Sequence, residues 1–495
     1  MIPVISVDNI RKSDTHTIAL GTSGVELMHR AALGVYNAMD WKGNIAIVCG
    51  GGNNGGDGYA LAEILYQNGK KVTVFALSDR LTPDSAYYYQ RCKALKVNIQ
   101  QYNDQNLDGY DILVDCIFGT GFRGEASGIY KNAIDMINKS PSFVVSVDIN
   151  SGLNGDSGLG LKVIKSDLTV SIGYYKGGHF LNMAKDLIKE KVNADIGIEL
   201  IEKPFYLMED KDFLDIFPER KQFSHKTTYG ITAILGGSIR YSGAVKLANL
   251  SLSALRSGSG MCKVIVPSSI SDSIMPYILE SSLEPIPDKE GQMLFEKETL
   301  SKALKGVSSL AIGMGWGQSH NNQRILEYIL SNYDIPIVID ADGINNLCDM
   351  GLDILKQTKC KVILTPHLGE FSRLINKSVE EINSNPIAYA KNFAKEYKSV
   401  LLLKGPCTIV TDGEKVYLVD KGDSGMATGG SGDVLSGIIG GINAFSKSPF
   451  ILNAACGAYI SGVAGEIAAK EKNQYSMLAS DTINNIPKAI NQIIN

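Results

Sequence analysis

Residues 423–437 read DSGMATGGSGDVLSG, and the continuation IIGGINAF is apolar and built from small residues, as a packed helix is. Gly429, Gly430, Ser431 and Gly432 therefore form a glycine-rich turn at a helix start. There bare backbone N–H groups converge on an anion, with the positive end of the helix behind them. Asp433 cannot serve that anion, because like charges repel. It is better suited to take a proton from a hydroxyl that reacts beside the anion. The bland alternative is that Asp433 only caps the helix.

Working outward, the same strand–glycine turn–helix unit recurs along the chain. Residues 45–50 (IAIVCG) are β-rich and run into GGNNGGDG and a helical AEILYQNG. KVTVFAL, ILVDCIFG, FVVSVDIN and LTVSIG follow as strands, after a helix pair in residues 8–39. Strands alternating with helices predict a parallel sheet covered on both faces, with ligands at the carboxyl ends of the strands. A charged, proline-bearing stretch without a clean period, within residues 199–229, reads as a linker. A second series then begins with ITAILGGS, and RYSGA opens a helix running to SGSG. CKVIVP, SLAIGMGWG, IPIVIDADGIN, CKVILTPHLGEFSRL and the meander VLLLKGPCTIVTDGEKVYLVD follow. The chain is thus expected to be α/β with two domains, residues 1–210 and 222–495, as 495 residues exceed one ordinary core.

Composition narrows the function. A net charge of −4 leaves no electrostatic footprint for nucleic acid. The eight cysteines are scattered without a CxxC and the six histidines are dispersed, which argues against structural zinc and for a reducing compartment. No signal-peptide core and no run of about 18 apolar residues is read, so a cytoplasmic protein with no membrane partner is expected, as a homo-oligomer.

Several loops carry chemistry. The G-x-G-x-x-G of residues 50–55 is by itself a weak dinucleotide signal, and no GK[ST] follows it. Asn53, Asn54 and Asp57 among those glycines are hard oxygen donors, suited to a cation or to ribose hydroxyls. Asn54, Asp115 and Ser151 are placed to meet at one cation while Asp148 faces a ligand. Lys404 at a strand end, followed by Gly405, Pro406, Cys407 and Thr408, suits phosphate oxygens. His367 beside Gly369 and Glu370 is a site candidate, Asp340 and Asp342 are read as a satisfied turn, and Trp316 either covers a ring or plugs a gap.

IVCGGGNNGGDGYALAEIL, VDCIFGTGFRG, VDINSG and YYKGGHFL…ADIGI together resemble the NAD(P)H-hydrate epimerase domain, over roughly residues 1–205. The resemblance implies a Rossmann-like fold and potassium at Asn54, Asp115 and Ser151. It implies substrate contacts at Asn53, Asn54, Gly55, Gly56 and Asp57, at Gly119, Thr120, Gly121, Phe122, Arg123, Gly124 and Glu125, and at a catalytic Asp148. Asn150 stands where the family has proline, so a looser turn before Ser151 is expected, and the early helix reads LMHRAALGV where a glutamate and a glycine are common.

GGS…YSGA, IGMGWG, VIDADGIN, LTPHLGE, LKGPCTIVTDG and ATGGSGDVLSG, in order over residues 225–495, resemble the NAD(P)H-hydrate dehydratase of the ribokinase-like superfamily. That resemblance implies substrate contacts at Ala244, Gly315, His367 and the catalytic Asp433. It implies nucleotide contacts at Lys404, Gly405, Pro406, Cys407 and Thr408, and at Ser424, Gly425, Met426, Ala427, Thr428, Gly429, Gly430, Ser431 and Gly432. Leu368, Thr227 and Met426 depart from the family's usual proline, glycine and leucine and are read as packing changes.

The two resemblances imply a repair pair acting on NAD(P)H hydrates. One half epimerises the R and S forms with K⁺. The other dehydrates the S form with Mg²⁺ and ADP or ATP. Two alternatives stay open at this point: a small-molecule kinase fused to a nucleotide-binding module, and a non-catalytic nucleotide-sensing scaffold.

Overall fold

The computed structural model describes residues 1–249 and 255–495. The chain divides into two compact units, one of Pro3–Phe205 and one of Met1–Ile2 with Tyr206–Asn495.

In the first unit, β1 (Ile2–Ile5), α1 (Val7–Ala19) and α2 (Gly24–Asn37) precede β2 (Asn44–Cys49). There follow α3 (Asn53–Gln67), β3 (Lys71–Ala76), α4 (Pro83–Ala94), β4 (Asn98–Gln101), β5 (Ile112–Cys116), α5 (Gly128–Lys139) and β6 (Phe143–Val147). β7 (Ser166–Ile172), β8 (Tyr175–Lys176) and β9 (Ile188–Ala194) complete it. Seven strands form one sheet in the order β4-β3-β2-β5-β6-β7-β9, every pair parallel. Ile45, Ile47, Val74 and Val114 pack into a core on one face, while Ala46, Val48, Phe75 and Leu113 pack into a core on the other. Burial on both faces is why these strands read as continuous apolar runs. The chain leaves β2 toward β3 on one side and returns to β5 on the other, which opens a crevice at their carboxyl ends.

Four strands escape the sequence pattern for local reasons. The edge strand β4 is NIQQ, with almost no apolar content, and β9 (IKEKVNA) is exposed at Lys189, Glu190, Val192 and Asn193 without alternation. β1 and β8 pair through Val4 with Tyr175 and Ile5 with Lys176, too short a ladder to leave a period.

In the second unit β10 (Phe205–Leu207), β11 (Ile231–Leu235), β12 (Met261–Pro267) and β13 (Ser282–Ile286) come first, then the hairpin of β14 (Asp288–Lys289) and β15 (Gln292–Met293). β16 (Ser309–Ile312), β17 (Pro336–Ile339), β18 (Lys361–Leu364), β19 (Val400–Leu403), β20 (Thr408–Thr411) and β21 (Val416–Val419) follow. The sheet runs β13-β12-β11-β16-β17-β18-β19-β20-β21-β10, with β13 through β19 parallel and β19-β20-β21 the antiparallel meander read from the sequence. Gly413, with φ +91°, supplies the turn of that hairpin. The helix opened by RYSGA spans Ser242–Asn249, and its expected continuation through residues 250–254 lies outside the described residues.

The stretch read as a linker contains part of this unit's core. Met208, Phe213 and Ile216 are buried in it, and the Phe213 ring lies 5.0 Å from that of Tyr459, whose hydroxyl donates to Asp210 Oδ1. Isolated apolar anchors on a charged 3₁₀ turn (Asp210–Ile216) carry no helical or strand period, so the sequence pattern passes over them. Residues 218–228 beyond them are exposed.

Helix Phe450–Lys472 is long and apolar enough, by length and composition, to cross a membrane, yet 78% of its apolar window is buried inside this fold. Polar Asn453, Ser461 and Glu466 interrupt it, which is why no continuous apolar run is read there. All eight cysteines are free thiols.

Candidate functional site

The N-terminal cleft encloses about 440 Å³ and is lined by the carboxyl ends of the parallel strands and by α1. Asn53, Asn54 and Asp57 enter from the start of α3, Gly119, Thr120 and Gly121 from the loop after β5, Asp148 from the end of β6 and Lys176 from β8. Asp148 adopts φ +66°, a conformation in which a non-glycine residue is strained and which persists where surrounding structure over-determines it. Here that structure is explicit. Lys176 Nζ donates to Asp148 Oδ1 at 2.6 Å, and the Thr120 N–H donates to Oδ2 at 2.9 Å. Buried His179 accepts the Lys176 N–H at Nδ1, so the neutral ring carries its proton on Nε2 and donates it to the Asp148 carbonyl at 2.8 Å. Burial first and the Lys176 charge second lower the His179 pKa to about 4, so the ring stays neutral. Burial alone would push the Asp148 carboxyl up. The Lys176 ammonium, the Thr120 N–H and His179 reverse that and hold it below the usual range. An ionised carboxylate in the lining of the cleft is the result. Gly119 has to be glycine, because a Cβ there would stand 2.8 Å from Asp148 Oδ2.

Asp115 is fully buried at the end of β5 and accepts from Ser146 Oγ (2.9 Å), the Ser151 N–H (2.9 Å), the Ile117 N–H (3.2 Å) and Ser151 Oγ. Burial nevertheless raises its pKa, with those hydrogen bonds opposing. Asn54 lies beside this loop, its Cβ 3.3 Å from where a Gly119 Cβ would be, and both its carboxamide atoms are buried without a hydrogen-bond partner. A buried orphaned carboxamide oxygen at the start of α3 and a buried carboxylate at the end of the neighbouring β5 are a donor set that fits a monovalent cation. Asp115 and Ser151 meet directly, whereas no hydrogen bond joins Asn54 to either.

The remaining expected residues divide. Asn53 Oδ1 accepts from Thr82 Oγ1, and Gly55 and Gly56 let α3 approach Gly50 and Met28. Phe122 stacks on Phe118 at 4.2 Å, and Arg123, Gly124 and Glu125 are exposed and outside the cleft lining. The turn at Asn150 is not loose. Its amide donates to Ile164 O and Ser166 Oγ, and its oxygen accepts from Thr169 Oγ1 at 2.6 Å, so hydrogen bonds do the work of a proline ring.

In the second unit Asp433 is the third residue of helix Ser431–Phe445, whose N-cap Gly430 has φ +97°. Gly432 sits over an ion pair: a Cβ there would lie 3.4 Å from Lys404 Nζ and 3.5 Å from Asp340 Oδ2. Lys404 Nζ is 3.0 Å from Asp340 Oδ1 and 4.0 Å from Glu370 Oε2. Burial alone would push the Lys404 ammonium down, but Asp340 and Glu370 outweigh it and raise its pKa. Burial pushes the Asp433 carboxyl up to about 7; the charge of Asp340 adds to the rise and Lys404 opposes it. Asp433 is therefore a carboxyl whose ionisation falls near neutrality, and no hydrogen bond to a described residue spends its lone pairs.

Asp340 is thus an ion-pair partner buried to 2% exposure and not part of a simple turn, while Asp342 does fit the turn reading, accepting from the Gly317 and Asn345 nitrogens. Ala341 between them has φ +48°. Ala244 and Gly315 touch: a Cβ on Gly315 would stand 2.9 Å from that of Ala244. His367 caps helix Leu368–Ile375, its Nδ1 accepting from Gly369 and Glu370 and its Nε2 lying 3.6 Å from Glu370 Oε1. Trp316 is buried, its Nε1–H on Met293 Sδ, and plugs a gap. Gly405 and Pro406 are exposed at the β19–β20 turn while Cys407 is buried and Thr408 opens β20. Ser424–Met426 form a 3₁₀ turn capped by Asp423, with Ala427, Thr428 and Gly429 leading to Ser431, whose hydroxyl holds Met426 O at 2.8 Å.

Comparison with known proteins follows the two units. Residues 24–178 match the family described as YjeF-related protein N-terminus, and residues 232–488 match NAD(P)H-hydrate dehydratase. The bifunctional NAD(P)H-hydrate repair enzyme Nnr of Dictyoglomus turgidum is 34% identical over 473 residues, covering 91% of this chain and 89% of that protein. The Escherichia coli protein of the same name is 30% identical over 504 residues, covering 98% and 93%. The chain belongs to the family of bifunctional NAD(P)H-hydrate repair enzymes. A ribokinase-like superfamily protein from Enterococcus faecalis shares its fold with 58% of this chain and 96% of its own, at TM-score 0.50 and 22% identity.

For a member of this family, three features of the two sites go beyond the sequence motifs. Lys176 lies inside the quoted YYKGGHFL, but nothing in the spacing ties it to Asp148. Ser436 and Glu370 complete the Asp340–Lys404 cluster from two helices. Asp14 and Arg11 reach the cleft from α1, and the only available signal was a polar residue between Ile10 and Ile18 on an otherwise apolar face.

Proposed function

We propose that the N-terminal cleft interconverts the R and S hydrates of NADH and NADPH, and that the C-terminal site dehydrates the S hydrate to NAD(P)H at the expense of ADP or ATP. The observation that carries the dehydratase assignment is Asp433, raised to about 7, beside a glycine turn at a helix N-terminus and above the Lys404–Asp340 pair. Hydroxide is a poor leaving group, so the C6 hydroxyl is phosphorylated first and phosphate is then eliminated across C5–C6. Asp433 takes the hydroxyl proton. The N–H groups of Gly429, Gly430, Ser431 and Gly432 and the helix end stabilise the transferring phosphoryl group. Ala244, Gly315 and His367 border the nicotinamide, and residues 404–408 and 424–432 hold the nucleotide.

Among the described residues no cluster of three or more His, Cys, Asp or Glu side chains could hold a metal. Mg²⁺ arriving on the nucleotide phosphates would supply charge neutralisation there. In the N-terminal cleft Asn54, Asp115 and Ser151 would hold K⁺, whose charge would steady the loop carrying Gly119, while Asp148 is the base. Eight free thiols support a reducing, cytoplasmic setting.

The test is to incubate the purified chain with mixed hydrates, nucleotide and Mg²⁺ and follow the reduced-nicotinamide absorbance. Full recovery of both epimers is expected. No recovery with either nucleotide overturns the reading, and a stable phosphate ester in place of NAD(P)H would identify a kinase.

A further inference from the structure

Asp14 lies in the N-terminal cleft, with no hydrogen-bond or ion-pair partner among the described residues. Ile10, Arg11, Asp14 and Ile18 of α1 share one helix face and line the cleft. Arg11 reaches Gly121, its Nη2 3.7 Å from where a Cβ on that glycine would stand. No hydrogen bond or ion pair to a described residue holds the Asp14 carboxyl, although Arg11, Asp57, Asp84, Asp148 and Lys176 all line the same cavity. Burial pushes it up to about 6, Lys176 pulls it down and Asp148 pushes it up again. Asp148 is held in the opposite direction, below the usual range. Two carboxyl groups in one cleft whose surroundings drive their pKa values apart are the pattern of an acid and a base. Asp57 also rises, through burial and the charges of Asp148 and Asp14. Its charge is also felt by the buried thiols Cys49 and Cys116, so Asp57 sits at the sheet end of the cleft, whereas Asp14 enters from α1.

We propose that Asp14 is the proton donor of epimerisation, acting with Asp148 on the C6 hemiaminal of the hydrate; this rests on the epimerase reading above. Asp148 takes the proton of the C6 hydroxyl, and that O–H electron pair becomes the C6=O bond. The C6–N1 bond breaks with its electron pair going to N1, and Asp14 delivers the proton that N1 requires. The ring is then open as an aldehyde, and rotation about C5–C6 offers its other face. On closure N1 attacks C6, the N1 proton returns to Asp14, and the oxygen recovers its proton from Asp148. Each carboxyl ends as it began, so nothing is consumed.

The experiment measures R-to-S conversion by the full chain without nucleotide, from pH 5 to 9, by chromatographic separation of the epimers. Because Asp14 has to be protonated, the parent rate should fall as pH rises above about 6. Asp14→Asn should lower kcat by about 10²–10⁴-fold with little change in KM and lose that alkaline limb. Asp14→Glu should regain part of the rate together with the limb, and the melting temperature of each variant establishes that it is folded. A kcat for Asp14→Asn within about threefold of the parent, far below a general-acid effect, overturns the proposal. So does an effect on KM alone, or loss of the limb in Asp57→Asn and not in Asp14→Asn. A parent chain that does not interconvert the epimers overturns the epimerase reading itself, which is a distinguishable result.

Discussion

Lys404 Nζ lies 3.0 Å from Asp340 Oδ1, and the other oxygen of that carboxylate accepts the Ser436 hydroxyl at 2.8 Å. One buried carboxylate therefore ties the end of β17, the end of β19 and the first turns of helix Ser431–Phe445 together. Asp433, on the same helix turn, is left beside this cluster and bears its field. The first unit uses a related arrangement, with Lys176 2.6 Å from Asp148. There the lysine holds Asp148 itself, whereas in the second unit it holds the neighbour of Asp433. That difference explains why Asp148 stays ionised while Asp433 titrates near neutrality.

Asp433→Asn should cut dehydratase kcat by about 10²–10⁴-fold, the usual range for a general base, while nucleotide affinity stays level or improves. Stability should move the other way. A carboxyl whose folded pKa is about 7, against 3.8 unfolded, binds more protons when folded, so stability is lost as pH rises between those values. The asparagine chain lacks that loss, and its melting temperature should gain on the parent's from pH 5 to pH 8. A mere cap predicts turnover largely kept and about 1 kcal/mol or less of destabilisation at every pH. Measured kcat and melting curves at both pH values separate the two.

The pH dependence tests the cluster. As Asp433 has to be ionised to act, dehydratase kcat/KM should fall as pH drops below about 7, since this ratio reports the free enzyme. Asp340→Asn removes a negative neighbour and leaves the opposing charge of Lys404 in place. Both effects favour ionised Asp433, so the acid limb should move to lower pH. A limb that stays in place in this variant would separate Asp433 from the Asp340 field.

What the sequence disclosed followed from how locally each feature is encoded. The central strands are buried on both faces, so IAIVCG and ILVDCIFG are recognisable, and the glycine turns sit where the backbone has to bend. Edge strands such as NIQQ lack that composition. Lys176 and Asp148 are 28 residues apart, and Lys404 and Asp340 are 64 apart, so only the fold brings them together. Asp340 is read as a turn residue because the DAD sequence by itself does not show that a lysine from β19 arrives beside it. Asn150 is the converse case: one departure from a familiar pattern suggests looseness, but three partners outside the local sequence supply the rigidity.

Asp115→Ala should impair epimerisation and nearly spare dehydration of the S hydrate. Removing it deletes the only carboxylate among the three proposed cation donors and strips Ser146 and Ser151 of an acceptor. The K⁺ concentration giving half-maximal epimerisation should rise at least about tenfold, which is about 1.4 kcal/mol of binding. Ordinary K⁺ dependence in the folded variant would remove Asp115 from the cation site.

The final prediction concerns where the chain can be divided. Met208, Phe213 and Ile216 are 3%, 0% and 1% exposed within the C-terminal core, although they precede the first strand of its parallel series. A fragment of residues 206–495 keeps them; a fragment of residues 225–495 uncovers the surface of helix Phe450–Lys472 on which Phe213 packs. Each large apolar side chain contributes about 1.5–3 kcal/mol on full burial, so losing three removes roughly 5–9 kcal/mol. That is comparable to the whole stability of an ordinary domain, about 5–15 kcal/mol. The longer fragment should therefore unfold cooperatively in urea and retain dehydratase activity, while the shorter one should be largely unfolded or bind a hydrophobic dye. Limited proteolysis of the full chain should cut first within the exposed residues 218–228, leaving residues 206–217 docked. Equal urea midpoints for the two fragments would show that the 3₁₀ segment merely rests on the core.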